Sequence, residues 1–185
     1  MSDVTLMLQA ASRGDKQAWE ELLPAVYEEL RTLAAARMAR EAAGQTLQPT
    51  ALVHEAWLRL MKDNEREWSS RSYFFAAAAE AMRRILVENA RRKARLKHGG
   101  GQQRLYVENV DLTGPTSDEK LLLVNDALEE MEREQPELAR VVMLKYFSGL
   151  TNKEVAETLD ISESTIERRW FSARRWLFKK INTSL

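Results

Sequence analysis

Between Leu144 and Leu177 the apolar positions fall into two short helical stripes separated by a turn. Val155, Ala156 and Leu159 make the first, Ile166 and Trp170 begin the second, and Ile161 plugs the turn between them. Gly149 can close the preceding helix in a left-handed conformation, and Thr151 precedes Glu154 by three residues, the spacing of a capping box. Ser162 is placed to cap the second helix, whose outward positions are polar or basic. Ala156 is small enough for the two helices to approach closely. A helix-turn-helix that presents its second helix to a DNA major groove is the sharper reading, and an ordinary helical hairpin with a solvated face is the plainer one.

The same periodicity predicts helices upstream. Leu6, Met7 and Ala10 would face inward from a helix over about 3–12, and Asp15 can cap a second helix carrying Ala18, Trp19, Leu22 and Leu23. Pro24 either kinks that helix or opens the next, which buries Val26, Tyr27, Leu30, Leu33 and Ala34 through about Ala39. Thr50 is expected to cap a helix through Met61, with Leu52, Val53, Ala56, Trp57 and Leu60 as its stripe. Asp63 to Ser72 is polar around Trp68 and reads as an ordered loop or short helix. A long helix follows from Tyr73 to about Arg95, alanine-rich at first and basic later. Helices at about 119–133 and 136–147 lead into the helix-turn-helix, with Pro136 suited to a first helical position.

Composition supports an all-α fold: Gly and Pro number 7 and 4, while Ala, Leu, Glu and Arg dominate. Four of the seven glycines fall in "KHGGGQQRLYVENVDLTGPTSD", which has no helical period and reads as a flexible linker. The expected organisation is two small helical domains, 1–97 and 119–185, joined by a linker at 98–118. There is no cysteine, which removes disulfides, thiol catalysis and cysteine-bound metal. His54-Glu55 lacks the second histidine of a zinc-protease helix, and no phosphate-cradling glycine loop is present, so neither catalysis nor a cofactor is expected. No apolar run is long enough to span a membrane, and "MSDVT" is not a signal peptide; a soluble cytoplasmic protein is expected, with no further domain after Lys180.

Net charge is zero, but the charges are segregated. Arg83 to Lys97 holds seven basic residues against Glu88, and Glu163 to Lys180 holds six against Glu163 and Glu167. Between them, Glu119 to Pro136 holds six acidic and two basic residues. Two cationic patches suit two contacts with one polyanion, although each alone could be a solvated helix face.

Three stretches in order resemble the extracytoplasmic-function (ECF, group IV) type of the bacterial sigma-70 family, in its ECF-like branch. They are "TLQPTALVHEAWLRL", "SYFFAAAAEAMRRILVENARRKARLKHGG" and "YFSGLTNKEVAETLDISESTIERRWFSARRWL". The resemblance implies a sigma factor that binds core RNA polymerase at its clamp and flap and directs it to promoter DNA, without chemistry of its own. Domain 1–97 would be sigma region 2 and domain 119–185 region 4. It implies polymerase contacts from Leu52, His54, Glu55, Leu58 and Arg59. For the −10 element and strand opening it implies Asn64, Trp68, Ser70, Arg71, Arg83, Arg84, Arg91, Arg92 and Lys93, with Trp68 stacking on an unpaired base. For the −35 element it implies Ser162, Glu163, Ser164, Thr165, Glu167, Arg168, Arg169, Ser172 and Arg175. Tyr73, Phe74 and Phe75 read as core. Asp160 stands where relatives commonly have Gly, and Asp tolerates a left-handed backbone. Arg83 and Arg84 stand near positions often Asn or another polar residue, which leaves the −10 preference open. An anti-sigma protein stays open as a further partner. The rival reading is a dimeric helix-turn-helix regulator reading a palindrome, and a nucleic-acid enzyme is a distant third.

Overall fold

The structure, a computed structural model, describes residues 3–38, 47–63, 67–97 and 118–183. Among these the regular structure is helical throughout: α1 (Asp3–Ser12), α2 (Lys16–Met38), α3 (Pro49–Lys62), α4 (Arg71–Lys97), α5 (Asp118–Glu134), α6 (Pro136–Val142), α7 (Asn152–Leu159) and α8 (Glu163–Thr183). A π-helical turn, Met143–Phe147, continues α6. The expected linker, but for Asp118, and Asn64 lie outside the described residues.

Three sequence expectations are corrected. Pro24 does not open a new helix but sits inside one 23-residue helix, α2. The helix around it is held by the stripe Leu22, Val26, Leu30 and Ala34, all buried, so packing outweighs the lost backbone donor. In α1 the inward positions are Leu8 and Ala11, and Leu6 is exposed, because α1 turns that face to α2 and α4. α3 starts two residues early, with Gln48 at the N-cap position and Pro49 in the first turn, and Thr50 lies inside the helix. Asp15 does cap α2, accepting from the Gln17 and Ala18 amides at 2.9 and 3.2 Å.

α1 to α4 pack around an aromatic knot. Trp19 meets Trp57 edge-on at 5.2 Å, Trp68 meets Phe74 at 5.3 Å, and Trp57 meets Phe74 at 6.2 Å. α5, α6 and α8 enclose a second core of Leu128, Met131, Val142, Ala173 and Leu177. Val141, Leu144, Val155, Ala156 and Ile166 form a third around the turn before α8. The cores cross the midpoint of the chain: Leu121 of α5 joins the first, and Ala79 of α4 joins the second.

Candidate nucleic-acid interface

The turn that aims α8 is built from local sequence. Gly149 has φ +69°, ending the π-helical turn where a side chain would be strained. The Thr151 hydroxyl accepts from the Glu154 amide at 3.3 Å, and the Glu154 carboxylate accepts from the Thr151 amide at 2.8 Å. The Thr151 amide, with the Thr151 hydroxyl donating to the same carboxylate at 2.8 Å, holds the Glu154 carboxyl below the usual carboxylate range, the backbone amide contributing most. Asp160 closes α7 at φ 52°, ψ 47°, the left-handed conformation in which Gly is commonest. Ser162 then accepts from the Thr165 amide at 3.2 Å, and α8 begins.

Ile166, Ala173, Leu177 and Ile181 pin one side of α8 into the protein. Of the residues expected at the −35 element, Ser162, Glu163, Ser164, Glu167, Arg168, Ser172 and Arg175 are exposed, and Thr165 and Arg169 are half-buried. Ser164, Arg168 and Arg175 recur at helical spacing along the face opposite the buried stripe. Arg168 donates to the Thr165 hydroxyl at 3.4 Å, Asn152 donates to Glu167 at 3.4 Å, and Arg169 pairs with Glu137 of α6 at 2.5 Å. Arg174 and Arg175 have no ion pair with a described residue. Phe171, outside the set expected from sequence, lies on the same side and is 70 % exposed. Its place at i+3 from Arg168 and i−4 from Arg175 is the sequence signal that marks it.

The earlier surface behaves differently. Trp68, expected to stack on an unpaired base, is 2 % exposed and wedged between Trp19 and Phe74. Its amide donates to the Ser12 hydroxyl at 2.9 Å, which ties its backbone to α1, while burial and the ring contacts make the ring a packing element. Phe74 is likewise buried, Phe75 half-buried and Tyr73 exposed. Ser70 caps α4 through the Tyr73 amide at 3.1 Å, and Arg71 pairs with Glu29 and lies over the Phe75 ring. Around Trp68 lies a cavity of about 420 Å³, lined by residues that include Ser12, Lys16, Trp19, Met61 and Asp63.

Arg83, expected to hold a promoter phosphate, is 4 % exposed. It donates to Asn125 at 3.2 Å, pairs with Glu132 at 3.4 Å and lies 5.4 Å over the Phe147 ring. Desolvation pulls its pKa below the ordinary guanidinium value, against the raising effect of Glu132. Arg91 is exposed but pairs with Asp126 at 3.2 Å and Glu129 at 3.7 Å, and Lys93 pairs with Asp118 at 3.7 Å. Arg84 pairs with Glu80 one turn back, and Arg92 donates to Asn89 at 2.7 Å.

On α3 the expected polymerase-facing residues divide as well. Leu52 is fully buried and cannot meet a partner, because it sits on the stripe that packs against α2 and α4. His54, Glu55 and Leu58 are exposed. Arg59 bridges Glu55 at 3.2 Å and Glu88 of α4 at 2.7 Å, so it ties two helices together. Its pKa is raised, chiefly by the hydrogen bond to Glu88, and that same bond holds Glu88 below the usual carboxylate range.

Among the described residues, no acidic, histidine or cysteine cluster is arranged to hold a metal, and no helix is long and apolar enough to cross a membrane. The family model for ECF sigma factors matches residues 1–183 of the chain. No curated protein matches it.

Proposed function

Because the chain belongs to the ECF sigma factor family, it serves transcription initiation by binding core RNA polymerase and promoter DNA, and we propose how its residues divide that work. Residues 119–185 act as the −35 reader. The observation that carries this is the face of α8 that sets Ser164, Arg168 and Arg175 outward while Ile166, Ala173 and Leu177 lock the helix in place. Arg168, in the second turn, reaches base edges; Arg174 and Arg175, a turn or more later, hold phosphates. Phe171 lies between them and offers an apolar surface to the groove.

Residues 1–97 dock on the polymerase clamp and act at the −10 element, and 98–118 connect the two units. The α3 surface of His54, Glu55 and Leu58 is the clamp contact, with Leu58 an exposed apolar anchor. The cavity beside Trp68 receives an unpaired base, with Trp68 forming a wall and Lys16, Ser12 and Asp63 supplying polar groups. Exposed Arg84 and Arg92 contact the backbone. The chain performs no chemistry and works in the cytoplasm, where α8 also meets the polymerase flap; an anti-sigma protein would compete for these surfaces.

Gel filtration with core polymerase, followed by run-off transcription from promoters selected out of a random library, tests the reading. A stoichiometric complex that initiates at a two-element promoter is expected. Tight binding to a palindrome with no co-elution would instead support the dimeric regulator.

A further inference from the structure

Glu167 is an acid on a helix face that otherwise offers cations and hydroxyls to DNA. It is exposed, one turn after Ser164 and directly before Arg168. The other acid of α8, Glu163, is accounted for by its place in the first turn, where it meets the positive end of the helix. Glu167 lies beyond that turn, and among the described residues it forms no ion pair. Its partner is neutral: the Asn152 side-chain amide, at the start of α7, donates to Glu167 Oε1 at 3.4 Å. The Lys145 ammonium donates to Asn152 Oδ1, which leaves the amide nitrogen for α8. Lys145 in turn sits 5.5 Å from the centroid of the Trp170 ring. All three supporting side chains, Lys145, Asn152 and Trp170, are half-buried.

We propose that Glu167 reads a cytosine in the −35 element, accepting from its exocyclic N4 amine, and that Asn152 is the positioning residue that aims it. This rests on α8 being the −35 reader, as proposed above. An ionised carboxylate only accepts hydrogen bonds, and phosphates offer no donor and repel it. Guanine and thymine present acceptors in the major groove, and adenine sets an acceptor beside its amine. Cytosine presents the amine alone, so it is the base edge that suits a carboxylate. Asn152 occupies one oxygen and leaves the other for the base. Such an acid adds discrimination more than affinity: it weakens binding to every phosphate-lined site and regains the loss only where cytosine faces it.

The test uses the full chain with core polymerase. Promoters are selected from a random library by wild type, Glu167→Ala, Asn152→Ala and Glu163→Ala, the last controlling for lost charge on the same helix. Wild type should favour cytosine about tenfold at one −35 position. Glu167→Ala should lose that preference and keep the others, Asn152→Ala should weaken it at that position alone, and Glu163→Ala should keep it. The selected cytosine is then replaced by an analogue that lacks the exocyclic amine. Wild type should lose about tenfold more affinity on this substitution than Glu167→Ala loses. A −35 element whose base preferences are the same in wild type and Glu167→Ala, or equal losses on the analogue, would overturn the cytosine assignment. A preference untouched in Asn152→Ala would overturn its positioning role. Selection of promoters with no −35 element by wild type would instead remove α8 as the reader.

Discussion

α4 holds seven basic residues between Arg83 and Lys97, and α8 holds six between Arg168 and Lys180, yet the two helices spend that charge differently. On α4, Arg83, Arg91 and Lys93 are paired to α5, and Arg84 to its own helix. On α8, Arg169 and Lys180 are paired to Glu137 and Glu130, but among the described residues Arg168 bonds to a hydroxyl and Arg174 and Arg175 stand without carboxylate partners. Charge density alone would rank them alike. Where the nearest carboxylates fall in space decides which cations are available to a polyanion.

The largest expected effect probes the buried side of this contrast. Trp68→Ala should cost about 3–5 kcal/mol of folding stability, as truncating a buried aromatic does. Urea unfolding measures it. A variant that unfolds at the wild-type midpoint yet cannot open a linear promoter would return Trp68 to a stacking role and erase the difference between the two surfaces.

On the open side, Arg168→Ala should cost about 1–3 kcal/mol in binding and relax the preference at one base pair. Arg175→Ala should weaken all sites alike and flatten the salt slope by about one unit. Binding-site selection followed by salt titration separates the two. Identical base preferences in wild type and Arg168→Ala would remove Arg168 from base readout.

The smallest effect concerns the scaffold that aims α8. Thr151→Ala should lower stability by about 1 kcal/mol at neutral pH. Glu154 is held below its ordinary pKa by Thr151, so its contribution is present above the unfolded carboxylate range and lost as pH falls through the folded value. The gap between variant and wild-type melting temperatures should therefore narrow in acid. A gap that stays constant down to acid pH would mean that the Thr151 hydroxyl does not act through the Glu154 carboxylate, whose bond to the Thr151 amide the variant keeps.

The features legible in the sequence are those whose partners lie within a turn. Thr151 with Glu154, Gly149, Asp160, Asp15 and Ser162 all act on backbone a few residues away, so spacing alone places them. The stripes of α2 and α3 were legible for the same reason. Arg83 with Asn125 spans 42 positions and depends on how α5 lies on α4, which no local pattern encodes. Trp68 is polar in its neighbours and buried by α1, α2 and α4, so its surroundings in sequence pointed outward. Leu52 belonged to its helix's apolar stripe, and that stripe was the better guide to it than the family's docking surface. Glu88, which accepts Arg59, was invisible for want of any sign that α3 and α4 lie side by side.

The π-helical turn at Met143–Phe147 sets a condition for anyone who would move the α7–α8 unit to another protein. There the Ser148 amide reaches back five residues to the Met143 carbonyl at 3.0 Å, one residue more than an α-helix allows. The extra residue lets Leu144 enter the core around Ile166 while Phe147 enters the core around Leu177. A graft spliced onto a regular helix would arrive rotated, with one of those two anchors facing solvent. The portable module therefore begins before Met143, and its reading face is calibrated by a single surplus residue.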